Sequence, residues 1–155
     1  NNTKHNVPVK DDLKYLQDYL VIQSTRFGAN FSYKIGIDDA CMEFIIPKLL
    51  LQPLLENSIK YGFQKKPCIH IRVRGWLGED ALYFTVEDNG GGVDETMLEQ
   101  LRDILCSDEV NIEHNGLQNI NRRIWLGYGG DSGLTIDSTE GEGFTVKLKL
   151  RLGGM

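Results

Sequence analysis

The sequence predicts an α+β domain, a two-layer α/β sandwich whose mixed, mainly antiparallel sheet of about five strands carries helices over one face. Two periodicities predict it. Apolar and polar residues alternate in 31–37, 69–74, 81–86, 134–138 and 145–150, the pattern of half-buried strands. Interleaved with these, 9–27, a stretch ending by Gly62, 97–105 and 116–126 carry apolar residues three and four apart, as helices packed on one side do. A third observation is size. At 155 residues, 41% hydrophobic and 25% charged, the chain suits one soluble globular domain. No apolar run reaches the ~18 residues of a membrane span.

The first helix, 9–27, has Asp11 and Asp12 in its first turn, where negative charge suits the helix dipole. Leu13, Leu16, Leu20 and Phe27 form an apolar row, widened by Tyr15, Tyr19 and Ile22, and so much apolar surface suggests a helix that packs on something beyond the domain. Gly28 ends it, and the 31–37 strand follows. Pro47 is placed to open the next helix at its first position, and Pro53 to kink or restart it. Gly62 should close that helix. The runs 69–74 and 81–86 flank Gly78-Glu79-Asp80 and read as a hairpin. After the helix at 97–105, residues 107–115 are polar, and a helix opens at Gly116. The last two strands are joined at Glu140-Gly141-Glu142-Gly143.

The net charge of −5 gives no reason to expect nucleic acid as a partner. Cys41, Cys68 and Cys106 are odd in number and lack metal-ligand spacing, so reduced thiols packed as small apolar residues are expected, as in the cytosol. Asn1-Asn2-Thr3-Lys4-His5 reads as the start of a fragment rather than a signal peptide.

Three stretches carry chemistry. On the helix through Pro53-Leu54-Leu55-Glu56-Asn57-Ser58-Ile59-Lys60-Tyr61-Gly62, the side chains of Asn57, Lys60 and Tyr61 share one face. An amide oxygen is a hard ligand for magnesium, and an ammonium is a point charge for phosphate. The run Asp88-Asn89-Gly90-Gly91-Gly92 follows a strand. Its glycines allow close backbone approach to a flat ligand, and its aspartate can accept a hydrogen bond from an exocyclic amine such as that of adenine. Asn115-Gly116-Leu117 opens a helix, whose first N–H groups suit a phosphate. Arg122 and Arg123 follow on that helix, where a solvated face is the simpler reading.

Taken in order, these pieces resemble the nucleotide-binding domain of sensor histidine kinases, over about Ile46 to Leu150. This is the Bergerat-type fold shared with type II topoisomerases, Hsp90 and MutL. Asn57 falls in the N box, Asp88, Gly90 and Gly92 in the first glycine box, and Gly116-Leu117 in the second. Tyr19-Leu20-Val21-Ile22-Gln23, Arg26-Phe27-Gly28, Ile46-Pro47 and Leu51-Gln52-Pro53-Leu54-Leu55-Glu56-Asn57 are similar to the YesM/LytS type of bacterial histidine kinase.

The resemblance implies ATP and Mg2+ as cofactors. Asn57 would hold magnesium, Lys60 and Tyr61 would meet phosphates, and Asp88 would read the adenine amine. Gly90 and Gly92 would shape the adenine turn, while Asn115, Gly116 and Leu117 would start the phosphate-facing helix. The nucleotide would lie between the helices and a lid at 93–115. Hydrolytic relatives carry a glutamate one turn before the Asn, where this chain has Pro53, and an Asp three residues after it, where this chain has Lys60. A kinase is therefore expected rather than a hydrolase. Two positions depart from the family pattern: the second box lacks its first Gly at His114, and Phe144 stands where a Thr is usual, with Thr145 expected on the other side of the sheet.

The acceptor histidine of this type sits in a Pro-His-Phe-type motif expected upstream of residue 1, and His5, His70 and His114 lack that context. Residues 1–28 would then be the helical end of the dimerisation and phosphotransfer region and 29–155 the ATP-binding kinase domain. The implied partners are ATP or ADP, the protein's own dimerisation helices, a response regulator and a second copy in a full-length homodimer, without nucleic acid. The implied setting is the cytoplasmic part of a membrane-bound kinase. The fragment alone should bind nucleotide without phosphorylating itself. A serine kinase of the anti-sigma-factor type and a non-catalytic nucleotide-sensing module are the alternative readings.

Overall fold

The computed structural model describes residues 5–113 and 115–153, the side chain of Asn115 apart; His114 lies outside the described residues. The elements run β1 (Asn6–Pro8), α1 (Val9–Phe27), β2 (Phe31–Ile37), β3 (Ile45–Pro47), α2 (Gln52–Lys65), β4 (Ile69–Leu77) and β5 (Ala81–Asp88). They continue with α3 (Glu95–Cys106), α4 (Asn115–Tyr128), β6 (Gly133–Thr139) and β7 (Gly143–Arg151). Five strands form one sheet in the order β2-β4-β5-β7-β6, with β2 parallel to β4 and the other neighbours antiparallel. The mixed, mainly antiparallel sheet expected from the sequence is thus observed. Among the described residues no helix is long and apolar enough to cross a membrane.

One face of the sheet is dry. Ile71, Val73, Phe84, Val86, Val146 and Leu148 alternate inward and are almost fully buried against Leu16, Leu20, Leu54, Leu55 and Ile124 of the helices. The apolar row of α1 is therefore satisfied largely inside the domain, contrary to expectation; Leu16 and Leu20 are fully buried, and only Val21 and Ile22 stay more than half exposed. Stacking of Phe27 on Phe63, with centroids 4.4 Å apart, ties the end of α1 to α2.

Three other expectations fail around α2. Pro47 ends the small strand β3, which pairs antiparallel with β1, and the helix starts only at Gln52. Pro53 sits in its first turn, where a missing N–H breaks no helical bond, so it neither kinks nor interrupts. Gly62 does not stop the helix, which runs on to Lys65. Of the cysteines only Cys41 is buried; Cys68 and Cys106 are exposed.

Candidate functional site

Helix α2 presents two faces with different duties. Leu54, Leu55, Ser58, Ile59 and Gly62 form its buried stripe, and Asn57 and Tyr61 stand beside that stripe, half-buried. The entry of the helix is held from α1. Asp12, 1% exposed, accepts hydrogen bonds from the backbone N–H of Leu49 (2.6 Å) and Leu51 (3.3 Å). Its carboxylate thus takes up the N–H of the N-cap residue, Leu51, and that of Leu49 in the turn before it. Burial nevertheless pushes its pKa up, outweighing those bonds and the nearby Arg123.

Strand β5 ends at Asp88, 6% exposed, and the chain turns at once. The N–H of Gly90 donates to Asp88 Oδ1 at 2.8 Å, which fixes the carboxylate's orientation. Burial pushes the Asp88 pKa up, while bonds from the Gly90 and Phe144 backbone and the Ser58 hydroxyl pull it down. The glycines are steric requirements. A Cβ on Gly90 would stand 2.5 Å from Cα of Gly62, and one on Gly91 2.5 Å from Cβ of Lys65. Gly92, at φ +61°, has three oxygens within 2.8 Å of where its Cβ would lie. Gly62 is thus a close-packing glycine within α2, and the helix runs on past it.

These elements enclose a cavity of about 330 Å³. Asn57, Tyr61, Gln64 and Lys65 of α2 form one wall, with Asp88, Gly92 and Phe144 at the sheet ends. Val93, Met97, Leu101 and Ile104 form a second, apolar wall, and Leu117 of α4 closes it. The cavity combines a large apolar lining with the carboxylates of Asp88 and Asp94, the amides of Asn57 and Gln64 and the Lys65 ammonium. Such a site suits a flat apolar ring with an amine on one edge and anionic groups beyond.

The structure brings Asn57, Tyr61, Asp88, Gly92 and Leu117 to one cavity. Lys60 is exposed and stays off its wall, with its ammonium 5.1 Å from the centre of the Tyr61 ring. Gly90 acts from behind, through Asp88 and Gly62. Gly116 is exposed near the start of α4, and the side chain of Asn115 lies outside the described residues. Thr145 is absent from the cavity lining while Phe144 is on it, as the strand alternation requires.

Sequence reasoning missed three residues. Ser58 bonds the Asp88 carboxylate, and a small polar residue within an apolar stripe was the signal for it. Lys65 was lost with the expected end of the helix at Gly62. Gln118, 1% exposed, donates to the carbonyls of Ile104 (2.9 Å) and Glu109 (2.7 Å) and accepts from Asn111 N–H (3.1 Å), so it pins the segment after α3. Arg122 and Arg123 are structural: Arg122 donates to Ser107 and Asp108 carbonyls, and Arg123 to that of Lys48. Glu56 is exposed, accepts from Gln52 at 3.4 Å, and is off the cavity wall.

Residues 45–154 match the family of histidine kinase-, DNA gyrase B-, and HSP90-like ATPases. The chain is 33% identical over 141 residues to sensor protein LytS of Bacillus anthracis, a match covering 90% of this chain and 24% of that protein. It is 30% identical over 148 residues to sensor protein kinase HptS of Staphylococcus aureus, covering 96% of this chain and 28% of that one. The chain thus spans about a quarter of the length of these curated relatives. Its fold is similar to the catalytic domain of histidine kinase ThkA, with a TM-score of 0.71 at 13% identity over 94% of each chain. It is also similar to the histidine kinase domain of a blue-light activated kinase from Erythrobacter litoralis, with a TM-score of 0.64 at 21% identity over 94% of this chain and 66% of that one.

Proposed function

The chain belongs to the histidine kinase-, DNA gyrase B-, and HSP90-like ATPases as a catalytic domain of the histidine-kinase type, and from that premise we propose how it holds and uses ATP. The adenine lies in the cavity with its amine on Asp88, and the γ-phosphoryl group passes to a histidine outside this sequence. One observation carries this reading: a buried carboxylate, oriented by Gly90 N–H, is set into the wall of a largely apolar cavity. An ionised, fixed acceptor there rewards a donor on a flat ring and leaves a carbonyl at the same position facing a like partial charge.

Tyr61 and Lys60 meet the phosphates where they leave the cavity, and Lys65 stands on the same wall. The start of α4, at Asn115, Gly116 and Leu117, offers its N–H groups to the terminal phosphates. Asn57 fits magnesium, because its carboxamide lines the cavity and forms no hydrogen bond among the described residues. When bound there, magnesium would neutralise phosphate charge, with the remaining ligands coming from phosphate oxygens and water. Catalysis by this chain's own residues is positioning and charge neutralisation. No base for water stands in the cavity on α2: Pro53 has none to offer and Glu56 turns away, which favours transfer over hydrolysis.

We further assign residues 1–28 to the end of the dimerisation and phosphotransfer region, with a response regulator and a second copy as partners of the whole protein. Incubation with γ-labelled ATP and magnesium tests this reading. The chain alone should remain unlabelled, and a separate polypeptide carrying a LytS-type acceptor helix should gain acid-labile label, lost with Asn57→Ala. Label on the chain itself, or release of free phosphate without transfer, would contradict it.

A further inference from the structure

The helices cover one face of the five-stranded sheet and leave the other to solvent. From that open face Lys34, Arg72, Arg74 and Lys147 project on β2, β4 and β7, all exposed. None of the four forms an ion pair among the described residues, although the chain carries a net charge of −5. Of the carboxylates at this face, Asp137 is paired with Arg102 at 3.6 Å and Asp131 with Lys149 and Arg151 of β7, and Glu87 stands opposite Arg72 in the strand register. An acidic protein has thus gathered cations on one surface, where Glu87 opposite Arg72 offsets only part of their mutual repulsion.

A second observation lies at the centre of this face. Thr85 on β5 has Arg74 and Lys147 as its register neighbours on either side. Its Oγ1 is buried and has no hydrogen-bond partner. A hydroxyl left unpaired between two cations is free to donate to an anion that enters between them.

We propose that this open sheet face docks an acidic polypeptide segment, one carboxylate of which seats between Arg74 and Lys147 and accepts from the Thr85 hydroxyl. Arginine forks match carboxylates in two-point geometry, and the flat face accommodates an extended chain. Nucleic acid fits less well. Trp76 and Tyr83 stack on each other with centroids 5.4 Å apart, and the Lys147 ammonium stands 5.1 Å from the Tyr83 ring, so their faces are not free to stack bases. A bilayer fits less well too. No exposed large apolar side chain projects from this face among the described residues, since Leu77 alternates to the helix side. The surface lies on the opposite side of β5 from the inward Asp88, so a docked segment would leave the cavity open.

The probe is a fluorescent poly-L-glutamate of about 20 residues, titrated with the chain at low and high salt. Saturable, salt-sensitive binding is expected, weakened at least about tenfold by Arg72→Glu with Arg74→Glu. Thr85→Val should weaken it several-fold, and Lys14→Glu on α1 should leave it unchanged. Equal binding by the double variant would overturn the proposal, as would tighter binding of an oligothymidylate or of phosphatidylserine vesicles. Hydrogen exchange of the unaltered chain is independent of variant folding: poly-L-glutamate should protect β4, β5 and β7, and protection elsewhere or none would equally overturn it.

Discussion

Asp12 Oδ1 accepts the backbone N–H of Leu49 at 2.6 Å, which joins α1 to the entry of the helix that carries Asn57. Leu49 is the one described non-glycine residue at positive φ, 58°, a conformation that costs energy and that this bond supports. Asp12→Ala leaves buried N–H groups without an acceptor and should destabilise the chain by about 1–3 kcal/mol in denaturant melts. Asp12→Asn, which keeps one oxygen, should cost less. The carboxyl's pKa is raised on folding, so it holds its proton more tightly folded than unfolded. Its contribution to stability therefore falls as pH rises from the ordinary value of 3.8 through the raised one, and Asp12→Asn should flatten that slope.

Asp88 gives a second pH dependence, in binding. Its carboxylate must be ionised to accept the adenine amine, and burial raises its pKa above the ordinary 3.8. Affinity for ADP should therefore decline on acidification before an exposed aspartate would titrate. Titrations across pH would read the midpoint directly, and Asp88→Asn should remove it.

Two glycines should respond in opposite ways to the same substitution. A Cβ on Gly143, at φ +140°, would fall 1.9 Å from the carbonyl oxygen of Asp88, so Gly143→Ala should destabilise by more than about 2 kcal/mol or prevent folding. Gly116 has open space around it, so Gly116→Ala should fold normally, with a gain of up to about 1 kcal/mol from helix propensity. A loss of ADP affinity in Gly116→Ala would then report on backbone approach to phosphate. Thermal melts and ADP titrations of both variants separate the two effects.

Gln118→Ala should loosen the segment after α3, because the carbonyls of Ile104 and Glu109 and the N–H of Asn111 lose their shared partner. Amide exchange at Asn111 should speed up at least about tenfold, with little change in the sheet, the scale expected for one or two lost buried bonds.

Where one residue decided the local structure, the sequence was legible. Alternation placed β2, β4 and β5, Gly28 ended α1, and Asp88 emerged at a strand end. What was hidden depended on contacts between distant segments. Gly62 reads as a helix stop in isolation and is a packing glycine because Gly90 lies against it. Asp12 reads as a dipole-stabilising surface acid and is a buried bridge because Leu49 and Leu51 reach it. The short pairing of β1 with β3 that displaced Pro47 from the helix involves three residues on each side, too few to show a period.

In the proposed function Asp88 and Asn57 together make a magnesium-nucleotide site. Calorimetric titration of the chain with ADP, first with magnesium and then with EDTA, tests it most directly. Magnesium-dependent binding is predicted, weakened at least about tenfold in Asp88→Asn, the scale of a charge-assisted hydrogen bond. No binding at millimolar nucleotide, or binding indifferent to both EDTA and Asp88→Asn, would rule that site out.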